Sequence, residues 1–216
     1  MDRLLLPLFP LEAVLVPDEL LPLHIFEERY KSMIRECLAA QARETGDGEF
    51  GIVLDKGREI SHVGCSAQVV EVTRQYPDGR LDIVTQGKRR FAILFTDDKR
   101  EYLRAGVEFF EDETESEAPT EEEARRVMGL MQEASKRLRE PRYLPAAPAR
   151  PYHHLSFQIT ALLPFSLDFR NHLLSLRGER DRVLAVSEGI EQMILHLDRT
   201  IAVQRKTAGN GHLRSR

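Results

Sequence analysis

The stretch Pro22-Leu23-His24-Ile25-Phe26-Glu27-Glu28-Arg29-Tyr30 constrains this chain more than any other part of it. An extended apolar run passes directly into the first turn of an amphipathic helix. Pro22 has no amide hydrogen for a β-ladder, and neither do Pro7 and Pro10 in the run before it. Residues 3 to 26 therefore read as edge strands or strand ends. Glu27 and Glu28 favour a helix N-terminus through the helix dipole. Tyr30, Met33, Ile34, Cys37 and Leu38 return at three- and four-residue steps, so the spacing predicts a helix over 27–42 with one apolar face.

Short strands follow this helix. Phe50-Gly51-Ile52-Val53-Leu54 is one, and the run from Ala67 to Val72 is another. Tyr76-Pro77-Asp78-Gly79-Arg80 is a turn signal, because Asp-Gly supplies the positive φ that tight hairpins need. Leu81-Asp82-Ile83 alternates beyond it, Gly87 predicts a bend or bulge, and Phe91, Ile93 and Phe95 alternate again. Several short strands around one helix imply a curled sheet or partly closed barrel over residues 1–112.

The second half has a different period. Glu111 to Glu123 holds eight acidic residues and no basic one, and residues 113–119 read as a solvated linker. Thr120 with Glu123 forms a capping-box pattern. Val127, Leu130, Met131, Ala134 and Leu138 then line a helix. Four prolines between Glu140 and Tyr152 argue against a regular element there. Leu155–Leu163 reads as helix, Ser166 as the N-cap of another, and Val183 to Ile201 as the apolar face of a long last helix. The expected organisation is a β-rich part over 1–112, a helical part over 120–206 and a disordered tail over 207–216. Each part has one apolar face in need of cover, so independent folding is not expected.

The net charge of −4 over 216 residues gives no global attraction to nucleic acid or to an anionic membrane. No apolar stretch approaches a membrane span, and prolines interrupt the N-terminal run that would have to serve as a signal. Cys37 and Cys65 sit in apolar patterns without a CxxC spacing. They read as buried free thiols in a reducing compartment, and a cytoplasmic protein is the simplest reading.

The order and spacing of several short pieces resemble the Lon-protease N-terminal domain family. These are Phe9-Pro10-Leu11, Val14-Leu15-Val16-Pro17, the run from Leu21 to Tyr30, Phe50 to Leu54, Val63-Gly64-Cys65-Ser66-Ala67, the Asp78-Gly79-Arg80 hairpin, Gly87-Lys88-Arg89-Arg90-Phe91, and Leu173-Leu174 with Arg180 to Leu184. The resemblance spans roughly residues 3 to 204. It implies an α+β fold, with an N-terminal PUA-like β pseudobarrel carrying one helix and a C-terminal α-helical bundle after it. Asp18 stands where the family has glycine, and aspartate tolerates the left-handed turn this requires. By the same resemblance the chain is a stand-alone protein- or peptide-binding module, an adaptor or regulator in proteolysis, with proteins or unfolded peptides as partners and no membrane.

Motifs for catalysis are missing. There is no GxxxxGK[ST], since Gly87-Lys88 runs on into Arg89. There is no GxSxG elbow, since Gly64-Cys65-Ser66-Ala67-Gln68 lacks the last glycine. Adjacent His153 and His154 do not make a metal pair. No catalytic residue, cofactor-binding residue or metal ligand is expected.

The remaining candidates each have a plain reading beside the functional one. His24 is either a proton donor paired with Glu27 or Glu28, or a structural histidine bonding backbone at the strand-to-helix corner. With no accompanying nucleophile, the second is favoured. Lys88, Arg89 and Arg90 with Lys99, Arg100 and Arg104 suggest a basic patch, but no glycine–aromatic RNA motif interleaves them. An RNA-binding PUA-like protein or an uncharacterised hydrolase is the alternative function. The Pro-rich segment carries Arg142, Tyr143 and Tyr152, residue types favoured at binding hot spots, and these three are the candidate binding residues.

Overall fold

The structure, a computed structural model, describes residues 5–43, 48–113, 117–140, 142–144 and 152–209, with side chains to residue 202. The elements in chain order are β1 (Leu6–Leu11), β2 (Leu20–Ile25), α1 (Glu28–Arg43), β3 (Phe50–Asp55), β4 (Ile60–Gln75), β5 (Leu81–Asp97), β6 (Arg104–Phe110), α2 (Glu121–Leu138), α3 (Leu155–Leu162), α4 (Leu167–Ser175) and α5 (Glu179–Gly209). The α+β class is as expected. The expected tail at 207–216 overlaps the end of α5, and residues 210–216 lie outside the described ones.

All six strands join one mixed sheet of order β2-β5-β4-β3-β1-β6, and β6 also pairs with β5. That last pairing closes β5, β4, β3, β1 and β6 into a barrel and leaves β2 hydrogen-bonded to β5 alone. Pro22 thus sits on an edge strand, as the missing donor predicts. Pro7 and Pro10 do not, because β1 lies between β3 and β6. Its two halves use different neighbours: Leu6 and Pro7 pair with β6, whereas Leu8 to Leu11 pair with β3. Leu8 N donates to Leu103 O on the β6 side. Amides alternate along a strand, so Pro10 lacks a donor on the β6 side, beyond the β6 register. Pro7 lacks one on the β3 side, before the β3 register begins.

Two turns follow their residues closely. Gly79 has φ +83° and closes the hairpin, with Tyr76 N donating to Arg80 O at 2.9 Å. Asp18 has φ +66°, the left-handed turn that the aspartate was expected to tolerate. Gly87 is where this turn crosses β5. Gly87 N donates to Glu19 O at 2.9 Å, and Asp18 N donates to Gly87 O at 3.0 Å. A Cβ on Gly87 would stand 2.2 Å from Val16 O.

The chain divides into two compact units, residues 1–114 with 165–177, and residues 115–164 with 178–216. In the first, α1 buries Tyr30, Met33, Ile34 and Cys37, and the Tyr30 ring lies 4.1 Å from that of Phe9. The short helix α4, whose pattern groups it with the other helices, belongs to this β-rich unit. Ser61 Oγ donates to Asn171 Oδ1 at 2.7 Å, and Arg170 reaches Val14 O and Glu19. Buried Arg90 is the other tie. Its guanidinium donates to Leu174 O, Leu176 O and Asp112 and lies 4.9 Å from the Phe110 ring centroid. The acidic segment is therefore more than a solvated spacer, since Asp112 neutralises a buried arginine.

In the second unit the capping box forms as expected. Glu123 N donates to Thr120 Oγ1, and Thr120 N donates back to the Glu123 carboxylate. Val127, Met131 and Ala134 of α2 are buried, as are Val183, Val186 and Ile190 of α5. Arg182 is the largest fully buried side chain, paired with Glu179 at 2.6 Å. Both Glu179 oxygens also serve Ser156: Oε1 accepts from its backbone N at 2.8 Å and Oε2 from its hydroxyl at 2.9 Å. The N-cap residue of α3, His154, makes no side-chain cap bond. Glu179 supplies that acceptor from across the unit.

Candidate functional site

The C-terminal end of α2 builds a cleft of about 500 Å³, lined by Gln132, Ser135, Lys136, Arg139, Arg142 and Tyr143. The first four follow one another at i, i+3, i+4 and i+7, so they share one helical face. The helix stops at Arg139, which takes the left-handed conformation at φ +58°, with its N–H donating back to Lys136 O and Ser135 O. That reversal brings Arg142 and Tyr143 round beside the same face. Tyr143 is 79% exposed.

Two polar atoms of this lining are unusual. Ser135 Oγ and Arg142 Nε are buried without a hydrogen-bond partner among the described residues. A buried polar atom left unpaired costs on the order of 1–3 kcal/mol. Other helical hydroxyls avoid that cost by bonding the carbonyl four residues back: Thr160 to Ser156 O at 2.7 Å, Ser187 to Val183 O at 2.8 Å and Thr200 to His196 O at 3.0 Å. Ser135 does not.

The charges on α2 are uneven in the same place. Arg125 pairs with Glu121, Arg126 with Glu191, and Arg137 with both Glu133 and Asp198. Arg142 donates to Leu162 O and Glu140. Lys136 and Arg139 have no side-chain partner among the described residues. Chemically, the cleft offers two unmatched cations, an orphaned hydroxyl, an amide and an exposed aromatic ring. Those groups suit binding an anionic group, and no nucleophile–base pair is among them.

Of the three residues singled out in the sequence, Arg142 and Tyr143 meet at this cleft. Tyr152 does not line it: it is buried, with φ +64°, in the turn that enters α3. The pattern of α2 drew attention to its apolar face and missed Gln132, Ser135, Lys136 and Arg139. No local signal marked them: Glu133 and Glu140 stand at i−3 and i+4 from Lys136, and only the structure shows those carboxylates paired with Arg137 and Arg142 instead.

The other candidates resolve into structural roles. His24 pairs neither with Glu27 or Glu28 nor with backbone. Its Nδ1 lies 2.5 Å from Asp82 Oδ1, and Tyr76 OH donates to Asp82 Oδ2 at 2.8 Å. The bonds from His24 and then Tyr76 hold the Asp82 carboxyl below its usual range. In the expected basic patch, Arg89 pairs with Glu49, Arg90 with Asp112, Arg100 with Glu36 and Arg104 with Asp97. Carboxylates thus match four of the six basic residues of that patch. Both cysteines are buried and free. Burial pushes the Cys37 thiol up to about 12, with help from Glu36, and pushes Cys65 up as well. Among the described residues no cluster of three or more His, Cys, Asp or Glu could hold a metal, and no helix is long and apolar enough to cross a membrane.

Residues 5–192 match the family of the ATP-dependent protease La (LON) substrate-binding domain. The chain is similar to Lon protease 2 of Herpetosiphon aurantiacus, 25% identical over 195 residues that cover 88% of this chain and 24% of that protein. It thus spans about a quarter of that relative's length. Among solved structures it is similar to a Lon N-terminal domain protein from Xanthomonas campestris, with TM-score 0.62, 22% identity, and coverage of 84% of this chain and 95% of that one. The N-terminal domain of a Mycobacterium avium complex Lon protease aligns at TM-score 0.47 and 16% identity, over 89% of this chain and 95% of that one.

Proposed function

This chain belongs to the family of the ATP-dependent protease La (LON) substrate-binding domain, and we propose that it recognises protein substrates, binding unfolded peptide segments as an adaptor in proteolysis and catalysing no step itself. The family match over residues 5–192 carries this reading. The open cleft with exposed Tyr143 at its side supports it, because an aromatic ring beside donors is the usual anchor of a peptide-binding surface.

The test is binding of unfolded casein, followed by anisotropy, together with ATP turnover and casein cleavage on the same preparation. Saturable casein binding without either turnover is expected. Tyr143→Ala should weaken binding by about 1–2 kcal/mol, the size of a truncated aromatic hot spot. Because Tyr143 is 79% exposed, the melting temperature should hold. Failure to bind casein or any other unfolded protein, or turnover of ATP or casein by the pure protein, would overturn the proposal.

A further inference from the structure

The cleft at the end of α2 has a chemical preference that the protein-recognition reading leaves open. The chain carries a net charge of −4, yet at the C-terminal end of α2 and its cap the two cations Lys136 and Arg139 find no carboxylate among the described residues. Arg142 adds little charge, because Glu140 neutralises it. The carbonyl end of α2 and Glu140 both oppose an incoming anion. Any anion held here must therefore draw its attraction from Lys136 and Arg139 and its orientation from neutral donors.

Those donors are present. Ser135 is nine-tenths or more buried, and its hydroxyl is unpartnered among the described residues where other helical hydroxyls bond their own helix. Gln132 lies one turn away on the same face, with an amide that can donate. The cleft, at about 500 Å³, falls within the roughly 300–1,000 Å³ usual for ligand sites. A lone inorganic anion would leave most of it empty, whereas an acidic residue with its neighbours would fill it and lay an apolar portion on the Tyr143 ring.

We propose that this cleft selects a peptide carboxylate, with Lys136 and Arg139 supplying the charge, Ser135 the orienting hydrogen bond and Tyr143 the wall. The carboxylate belongs either to an Asp or Glu side chain or to a peptide C-terminus. The inference rests on the protein-recognition reading and narrows it.

The experiment uses the full chain and rhodamine-labelled eight-residue peptides followed by anisotropy. One peptide carries an internal Glu, its control carries Gln there, and each is made as the free acid and as the C-terminal amide. Whichever carboxylate is the ligand, removing it should weaken binding about tenfold, and raising salt should weaken the acidic peptide more than the neutral one. The Lys136→Gln/Arg139→Gln variant should erase the difference between acidic and neutral peptides without lowering the melting temperature. Ser135→Ala should weaken the acidic peptide several-fold while the fold is kept or strengthened, since it removes an orphaned hydroxyl from a helix. Equal binding of the acidic and fully neutral peptides would overturn this inference while leaving the protein-recognition reading standing. An unchanged preference in the Lys136/Arg139 variant would overturn the site. Displacement of the acidic peptide by inorganic phosphate but not by acetate would overturn the carboxylate assignment. No binding by any peptide or by unfolded casein would overturn both readings together.

Discussion

Replacing Glu179 with alanine should be among the most damaging single changes in the helical unit. Its carboxylate is 2.6 Å from the guanidinium of Arg182, a side chain with no solvent exposure. The same carboxylate accepts from the Ser156 backbone N and hydroxyl, while Arg182 Nε donates to that hydroxyl at 3.1 Å. Removing one partner of a buried ion pair costs about 3–5 kcal/mol, because the remaining charge stays buried. Losing the acceptor at the start of α3 is worth about 1 kcal/mol by itself. The two losses share one carboxylate and do not add fully, so the expected total is about 4 kcal/mol. Urea unfolding followed by far-UV circular dichroism measures it. Glu179→Gln, which keeps an acceptor for Ser156 but removes the charge, should fall between wild type and Glu179→Ala. Glu179→Leu combined with Arg182→Met should recover much of the loss, since apolar residues of similar volume often replace a buried pair at little cost. A loss below about 1 kcal/mol for Glu179→Ala, against the ~3–5 kcal/mol expected when one partner of a buried ion pair is removed, would refute the argument.

Gly87→Ala should cost about 2–3 kcal/mol by the same denaturation, because its Cβ would meet Val16 O at 2.2 Å in a turn pinned to Gly87 by two hydrogen bonds. With its thiol raised to about 12, Cys37 should exist as thiolate in only about one molecule in 10⁴ at pH 8, so thiol reagents should modify it only after unfolding. Its pKa is raised, so the folded chain keeps a proton that the unfolded chain releases above its ordinary value of 9.0. Stability should therefore be complete below pH 9 and fall as pH rises toward 12, at up to about 1.4 kcal/mol per pH unit. Cys37→Val should make that fall shallower. A fragment ending at Thr114 should fail to fold, because it removes the Leu174 and Leu176 carbonyls that satisfy buried Arg90 and the Asn171 oxygen that holds Ser61. A soluble fragment with a cooperative transition and native-like circular dichroism would contradict this.

Features encoded within a few residues were legible in the sequence. The Asp78-Gly79 hairpin, the Thr120–Glu123 capping box and the Ser166 cap, which accepts from Phe169 N, form where their residue types indicate. Features set by distant partners were not legible. Pro7 and Pro10 suggested an edge strand because the rule assumes one neighbour along the whole strand, and β1 changes neighbour halfway. Helix α4 carries the same apolar pattern as the other helices, and only its contacts with Ser61 and Arg90 assign it to the β-rich unit. Glu179 and Arg182 look like surface charges in a sequence, since nothing local marks their burial. Tyr152 was selected for its residue type alone and is buried.

The cleft was half legible for the same reason. Arg142 and Tyr143 attract notice as hot-spot residues, whereas Ser135, Lys136 and Arg139 gain meaning only when the partners of their neighbours are known. A lysine on a helix is ordinary. It is informative here because Arg125, Arg126 and Arg137 on the same helix are all matched by carboxylates. The energetics also fit a recognition role. Exposed ion pairs are each worth only about 0.2–1 kcal/mol, so under the proposal Lys136 and Arg139 would hold a carboxylate weakly and release it readily. Tyr143 adds an aromatic contact that any peptide can use. On the proposed reading, a site made of two weak charges, one orienting hydroxyl and one ring would bind many acidic segments briefly, the behaviour expected of a module that receives unfolded substrates and then releases them.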